Sequence, residues 1–509
     1  MKKIFNKVTI IILLVILQIY ILYVMVHKLA IYSPYFYYAF LGISIIAVIA
    51  IVNRNFNPSY KIGWIILVML MPIFGGLFYI LFGRNSGSKK WLAKMTQVNN
   101  KFTPYLHQNA QIFDEIEKAD KYIAQQLYYI LKWSGYPVYK KSRARYLKQG
   151  EELFAALKKE LNKAKHYIFI ECFIIEEGEM WNGILDILKA KVKEDIDIRL
   201  IYDDLGCATT LPAKYNKKLE EMGIKCQVFN PVMPYPSSKY NNRDHRKLVI
   251  IDGHTGFLGG CNIGDEYINK KMKFGYLKDA DLMIKGDAVW SLTVMFLQMW
   301  NFDKDLSADA VYENCRPQLY SDEEFTDDGF VQPFADAPLD NENIGESVYM
   351  NMINKAKEYI YIYTPYLVID NEMMIALSLA AQNGVDVRIV TPYIGDKIVT
   401  HQLTRANYQK LIANQVKIYE YLPGFIHSKM IVSDDDIAVI STINMDFRSF
   451  YLHFECAALM YKTEAIKQMK EDYMNTLEVC KQITIEDCLA VKWYIRVFRS
   501  ILKVLSPLI

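Results

Sequence analysis

Asn162-Lys-Ala-Lys-His-Tyr-Ile-Phe-Ile170 recurs as Asn354-Lys-Ala-Lys-Glu-Tyr-Ile-Tyr-Ile362. The repeat extends outward in the same order and at nearly the same separation. Ile196-Asp-Ile-Arg199 answers Val385-Asp-Val-Arg388, and Gly223-Ile-Lys225 stands where Gln415-Val-Lys417 stands. Each copy reads as helix, apolar strand, helix, apolar strand, then a strand near residue 226 or 418. That alternation predicts an α/β sandwich on a largely buried sheet. Two copies in one chain predict two such domains about a pseudo-twofold axis, with equivalent faces in contact.

The 509 residues exceed what one compact core accommodates, in keeping with a duplicated unit. A composition 52% hydrophobic and 23% charged excludes a disordered or collagen-like chain. Lys and Arg total 59 against 56 Asp and Glu, a net charge of +3. A general polyanion binder is more basic, so any basic surface is local. None of the eight cysteines forms a CxxC pair, and most sit in apolar runs. They read as buried free thiols in a reducing compartment.

Three apolar runs open the chain, at 8–26, 35–52 and 62–82, and each is long enough to cross a hydrocarbon core about 30 Å thick. No small-residue cleavage site follows the first, which argues against a signal peptide. Lys2, Lys3 and Lys7 precede the first run, and Arg84, Lys89, Lys90 and Lys94 follow the third. The positive-inside rule places both ends in the cytoplasm, which three full crossings cannot satisfy. Pro72 and Gly75-Gly76 interrupt the third run. The expectation is a multi-pass region of two spans and a bent third segment, with cytoplasmic catalytic domains. Three spans with an external domain is the alternative. The expected organisation is a membrane region at 1–85, a connecting segment at 86–139, a first domain at 140–303, an acidic Pro-containing linker at 304–343, a second domain at 344–487, and a C-terminal helix at 488–509. In that last helix Lys492, Arg496, Arg499 and Lys503 form one stripe beside a broad apolar face. The pattern suits the surface of anionic lipid, and it equally suits a helix packed on the domain.

Each half carries the same polar pattern. His245-Arg-Lys247-Leu-Val-Ile-Ile-Asp252 leads to Gly259-Gly260-Cys261-Asn262, and His427-Ser-Lys429-Met-Ile-Val-Ser-Asp434 leads to Ser441-Thr442-Ile443-Asn444. Residues i and i+2 of a strand face the same side, so His and Lys project together from a strand that continues into the core. Asp ends that strand, and the next apolar run returns to Asn on a neighbouring strand end. Joined across a pseudo-twofold, the halves offer a phosphodiester two ammonium groups, two carboxamides and two imidazoles. One imidazole can attack phosphorus while the other protonates the leaving alkoxide. A metal reading of His245, His427 and Asp434-Asp435-Asp436 is opposed by a Lys on the same strand face as each His. No metal is expected, and Asp435 and Asp436 read as a solvated turn.

The paired HxKxxxxD motifs resemble those of the phospholipase D superfamily. Asn262-Ile-Gly-Asp-Glu-Tyr267, Asn444-Met-Asp-Phe-Arg-Ser-Phe450 and the membrane segment from Asn57-Pro58 through Trp64 and Pro72 to Phe82-Gly83 resemble bacterial cardiolipin synthases. The resemblance covers nearly the whole chain. It implies two phospholipase D-like α/β sandwich domains behind an α-helical membrane region. It also implies transfer of a phosphatidyl group from one phosphatidylglycerol to another, through a phosphohistidine, with glycerol released and neither metal nor nucleotide cofactor required. By the same analogy the catalytic set is His245, Lys247, Asp252, His427, Lys429 and Asp434. His245 is the nucleophile and His427 the acid/base, although the near-equivalent halves leave that order open. Lys247, Lys429, Asn262 and Asn444 hold phosphoryl oxygens, and Asp279 and Glu455 orient the imidazoles. Asp252 and Asp434 are expected to bond backbone at the strand ends. The chain departs from the family at Gly259-Gly260, where a hydroxyl residue is usual, and at Leu277-Lys-Asp279-Ala-Asp281.

The implied partners are phosphatidylglycerol, cardiolipin and the bacterial cell membrane. A membrane-bound phospholipase D making phosphatidic acid would use the same chemistry with water as second nucleophile. A nuclease fits poorly because the apolar runs hold the chain on a bilayer, so no nucleic-acid partner is expected. Intact His, Lys and Asn in both halves argue against an inactive scaffold.

Overall fold

The computed structural model describes residues 7–54, 57–71, 74–83, 89–233, 238–302, 313–316, 329–339 and 342–508. Lys2, Lys3, Pro72 and Arg84, used above to argue topology, lie outside them, as does most of the expected linker.

The two halves build the same sheet. In the first, the strand order is Ser142–Leu147, Asp281–Gly286, Thr255–Gly259, Lys247–Ile251, Tyr167–Cys172, Asp197–Asp203, Lys225–Phe229. In the second it is Phe330–Asp336, Glu455–Tyr461, Ile437–Ser441, Met430–Ser433, Tyr359–Tyr363, Asp386–Pro392, Lys417–Tyr421, with Cys480–Ile483 added at the far edge. The repeated segments are the parallel strands Tyr167–Cys172 and Asp197–Asp203, and Tyr359–Tyr363 and Asp386–Pro392. Their residues are mostly buried, because helices cover the sheet faces. Each motif occupies an antiparallel hairpin: Lys247–Ile251 pairs with Thr255–Gly259, and Met430–Ser433 with Ile437–Ser441.

The strand Phe330–Asp336 falls inside the stretch expected to be linker, so the second sheet begins earlier than the sequence reading placed it. It pairs with Glu455–Tyr461 alone in that sheet, at an edge, where Pro333 is tolerated. One hydrophobic core joins the halves. Within it the helix Val289–Phe302 is buried along its whole length, which is why its sequence is apolar on every side.

The N-terminal region is helical. Lys7–Tyr32 and Pro34–Val52 cover the first two runs. The third run is two helices, Pro58–Leu70 and Gly75–Phe82. Their backbones touch: a Cβ on Gly75 would lie 2.7 Å from Val68 Cα. The Gly76 amide donates to Ser44 Oγ at 3.0 Å, which docks the hairpin on the second helix. Among the described residues, Pro34–Val52 is the helix long and apolar enough to cross a membrane, while Ile16–Leu29 and Pro58–Leu70 are shorter apolar stretches. The multi-pass expectation thus has one segment meeting the length and composition test.

Candidate active site

Each His stands just ahead of its buried strand, where the chain crosses to the other half. Gly424–Ile426 pairs in parallel with Tyr276–Lys278 of the first half, and the His427 amide donates to the Lys278 carbonyl at 2.7 Å. Reciprocally, Asp244 bridges to Phe454, and the His245 amide donates to the Phe454 carbonyl at 2.9 Å. These exchanges are related by the pseudo-twofold, and they bring both imidazoles into one cavity of about 800 Å³.

The orienting carboxylates are exchanged as well. His245 Nδ1–H donates to Glu455, with oxygens at 3.0 and 2.9 Å, and His427 Nδ1–H donates to Asp279 Oδ2 at 2.6 Å. A carboxylate accepting at Nδ1 fixes the tautomer and leaves the Nε2 lone pair free. Thr442 donates to Glu455. The equivalent residue beside Asp279 is Gly260, where a Cβ would lie 1.9 Å from Asp279 Oδ1. The glycine that departs from the family pattern makes room for the shorter carboxylate, and the Ala280 amide donates to Asp279 in place of a hydroxyl, at 2.8 Å.

Lys247 and Lys429 lie behind the imidazoles and are buried. Lys247 Nζ donates to the His245 carbonyl at 2.6 Å, and Lys429 Nζ donates to the His427 carbonyl. Burial, with the charge of both lysines and of His427, holds His245 well below the usual imidazole range. Burial and Lys429 push His427 down to about 4 against the pull of Asp279. Burial also pulls Lys429 down to about 8. Burial alone would raise Asp279, but His427 and Lys429 outweigh it and keep the carboxylate ionised. At neutral pH the site holds two uncharged imidazoles, each with a carboxylate at Nδ1 and a buried lysine beside it that can meet an anion.

Asn262 and Asn444 both line the cavity. The Asn262 oxygen accepts from the Ile174 amide at 3.1 Å, and its NH2 donates to the Tyr267 hydroxyl at 2.6 Å. Asn444 is buried, and its Oδ1 has no hydrogen-bond partner.

Asp252 and Asp434, grouped with the catalytic residues by the motif, are not in the cavity wall. Asp252 accepts the backbone amides of Lys165, His166 and Tyr167, each at 2.8 Å. Asp434 accepts those of Lys357, Glu358 and Tyr359 at 2.8, 3.0 and 2.9 Å. Both have positive φ, 50° and 54°, at the far end of the motif strand. They pin the adjacent parallel strand through its backbone amides, the strand-end role expected of them, and bond no imidazole.

The sequence reading missed His453. Its ring lies 5.4 Å from that of His245, its Nδ1 lies 3.6 Å from Glu455 Oε1, and neither ring nitrogen has a hydrogen-bond partner. The i, i+2 spacing of His453 and Glu455 was the available signal. Among the described residues, His245, His453 and Glu455 are the group that could ligate a metal, with one ligand atom each within 4.8 Å. Glu455 is already engaged by the His245 N–H, and the Lys247 cation stands beside it, so the donor set fits an oriented imidazole better than a cation.

Known proteins place this architecture. A family model described as "Cardiolipin synthase, PLD-like domain" matches residues 157–300 and 349–477, and a "Phospholipase D-nuclease N-terminal" model matches 42–84. The chain is 35% identical over 468 residues to a cardiolipin synthase of Halalkalibacterium halodurans, covering 91% of each chain. It is 34% identical over 468 residues to one of Alkalihalophilus pseudofirmus, again covering 91% of each. An uncharacterised protein of Streptococcus mutans is 38% identical over 463 residues, covering 91% of this chain and 99% of that one. The crystal structure of a phosphatidylserine synthase from Haemophilus influenzae shares the fold, with a TM-score of 0.54 at 15% identity over 74% of this chain and 96% of that one. With two phospholipase D-like domains and relatives matched along nearly their full length, the chain belongs to the cardiolipin synthase family of phosphatidyltransferase enzymes.

Proposed function

We propose that the chain transfers a phosphatidyl group from one phosphatidylglycerol to the primary hydroxyl of a second, yielding cardiolipin and glycerol. The observation that carries this reading is the shared cavity: His245 and His427 both line it, each backed by a carboxylate from the opposite half.

In the first step the His245 Nε2 lone pair forms a bond to phosphorus. The bond from phosphorus to the glycerol oxygen breaks, and protonated His427 gives its proton to that oxygen. In the second step the incoming hydroxyl returns a proton to His427 and its oxygen displaces Nε2 from phosphorus. Both histidines end as they began. Lys247 and Lys429, which bond the His245 and His427 carbonyls before substrate arrives, and the carboxamides of Asn262 and Asn444 would carry the phosphoryl oxygens. His427 is neutral before substrate arrives. The phosphodiester anion offsets the lysine charge and draws a proton onto it. No metal or nucleotide enters either step.

The site sits behind a helical anchor, which favours a lipid hydroxyl over water as second nucleophile. We place the helices Lys7–Tyr32 and Pro34–Val52 across the bacterial cell membrane and the catalytic domains in the cytoplasm. The test is purified full-length protein in mixed micelles with phosphatidylglycerol alone. Equal release of glycerol and cardiolipin supports transfer, whereas phosphatidic acid as the main product would assign the site to hydrolysis.

A further inference from the structure

The C-terminal helix Trp493–Leu505 is packed on one side and bare on the other. Leu502 is buried in the core cluster that also holds Tyr60 of the membrane hairpin and Leu403 and Phe447 of the cavity wall. Arg499 Nε donates to Gln402 Oε1 at 2.9 Å, fastening this helix along the helix Ile398–Ala413. On the outer side Trp493 is 71% exposed, Val497 50% and Ile501 56%. The start of the neighbouring helix is equally bare, with Ile398 80% exposed. Both elements reach the cavity: Ile398, Val399 and Thr400 line it from one side and Ser506, just past the C-terminal helix, from another. The bare turn at Ile398 is thus part of the cavity wall, and the bare stripe Trp493, Val497 and Ile501 lies on the helix that leads into Ser506 of that wall.

The same region is tied to the membrane helices. Asn57 Nδ2 donates to Asp370 Oδ2 at 2.6 Å and to the Tyr451 hydroxyl at 2.9 Å. Tyr60 OH donates to the Phe447 carbonyl at 3.5 Å, one residue from the cavity-lining Arg448. The segment that leaves the apolar helix Pro34–Val52 thus docks beside the cavity, and the bilayer that holds that helix lies on this side of the domain. Lys492, Arg496 and Lys503 flank the bare stripe, as an interfacial helix on anionic lipid requires.

We propose that phospholipid enters the active-site cavity laterally from an anionic bilayer, across a lip made by the outer face of Trp493–Leu505 and the first turn of Ile398–Ala413, both seated in the lipid interface. The inference rests on reading the cavity as a phospholipid site, so its test includes a readout independent of turnover. A photoreactive benzophenone residue is placed at Ile398, at Ile501, or at Trp133 on the distant helix Lys121–Ser134, in the full chain reconstituted in phosphatidylglycerol vesicles. Lipid adducts at 398 and 501, at least about tenfold above those at 133, are expected. Equal labelling at the three positions, no lipid adduct at 398 and 501, or adducts running as a covalent dimer would overturn the proposal. A second arm uses Val497→Glu/Ile501→Glu. Turnover of vesicle phosphatidylglycerol should fall about tenfold, while turnover of monomeric dihexanoyl phosphatidylglycerol stays within twofold. A matching loss on both substrates would show a folding defect in place of a lip, and would count against it. Should the product prove to be phosphatidic acid, the transfer reading fails while the adducts still decide the portal.

Discussion

His245 takes its orientation from Glu455, a residue of the other half whose two oxygens lie 3.0 and 2.9 Å from Nδ1. The mirror relation joins His427 to Asp279 at 2.6 Å. Neither motif histidine draws its hydrogen-bonded carboxylate from its own half, so the domain interface is itself part of the active site. This explains the buried, continuous core between the halves: a loose interface would let each imidazole lose the tautomer that exposes Nε2.

Glu455→Gln and Asp279→Asn each remove the charge that stabilises an imidazolium while keeping side-chain shape. Turnover is expected to fall about 10²-fold or more in each variant, with substrate affinity little changed. Steady-state kinetics in micelles reads this split. A variant that keeps near-full kcat would show that the carboxylate only packs.

His427→Ala and His245→Ala should both abolish turnover, but for different reasons. With labelled phosphatidylglycerol in a rapid acid quench, the wild-type enzyme should show label on the peptide containing His245. His245→Ala should show none. Substantial synthesis by His427→Ala would contradict its acid/base role, and label on the His427 peptide would reverse the assignment.

Substrate binding should take up a proton. His427 lies at about 4 in the unliganded site, below the 6.5 of free imidazole, because burial and Lys429 disfavour its charged form. An anionic ligand offsets that field and raises the value, so above about pH 4 the complex binds more protons than the free enzyme, until pH passes the raised value. Calorimetry with a non-hydrolysable phosphonate analogue, at pH 6 in buffers of different ionisation enthalpy, measures the uptake. His427→Gln should reduce it, and zero uptake in the wild type would remove the argument.

Much of this site was legible because strand geometry is regular. The spacing of His245 and Lys247, and of His427 and Lys429, sets two side chains on one face of a strand, and the duplicated frame tells which strands these are. The edge strand Phe330–Asp336 was hidden by Pro333 and its acidic flanks, a pattern that reads as linker unless the pairing with Glu455–Tyr461 is known. His453 was hidden because its one signal, the i, i+2 spacing to Glu455, is common by chance; only the fold places it against His245. Gly260 looked like a lost donor and is a space requirement, since the partner it accommodates, Asp279, comes from the junction between the strands Tyr276–Lys278 and Asp281–Gly286, which only the fold brings alongside.

That reading of Gly260 predicts opposite outcomes for two superficially similar changes. Gly260→Thr would restore the hydroxyl of the other half, yet its Cβ would lie 1.9 Å from Asp279 Oδ1. It should displace the carboxylate from His427 and cost at least about tenfold in kcat. Asp252→Ala alters a position that both copies of the motif share, although its carboxylate bonds only backbone amides. Its loss leaves the amides of Lys165, His166 and Tyr167 without their acceptor, a stability cost of about 1–3 kcal/mol. Lower thermal stability with near-normal kcat below the transition is expected. A severe kcat loss in folded Asp252→Ala would return that residue to the catalytic set.

A chelator should leave turnover unchanged. The group of His245, His453 and Glu455 has ligand atoms within 4.8 Å, so it could bind a transition metal if one were supplied. Binding there would compete with the His245–Glu455 hydrogen bond and withdraw the nucleophile, so added zinc should inhibit. Because His453 supplies one of the three ligands, His453→Asn should weaken that inhibition about tenfold or more while EDTA stays without effect on either protein. If EDTA instead removes activity and zinc restores it, the ion belongs to the reaction and the two-imidazole mechanism must be rewritten around it. If zinc inhibits wild type and His453→Asn alike, the metal acts elsewhere and the unpartnered imidazole of His453 has another use.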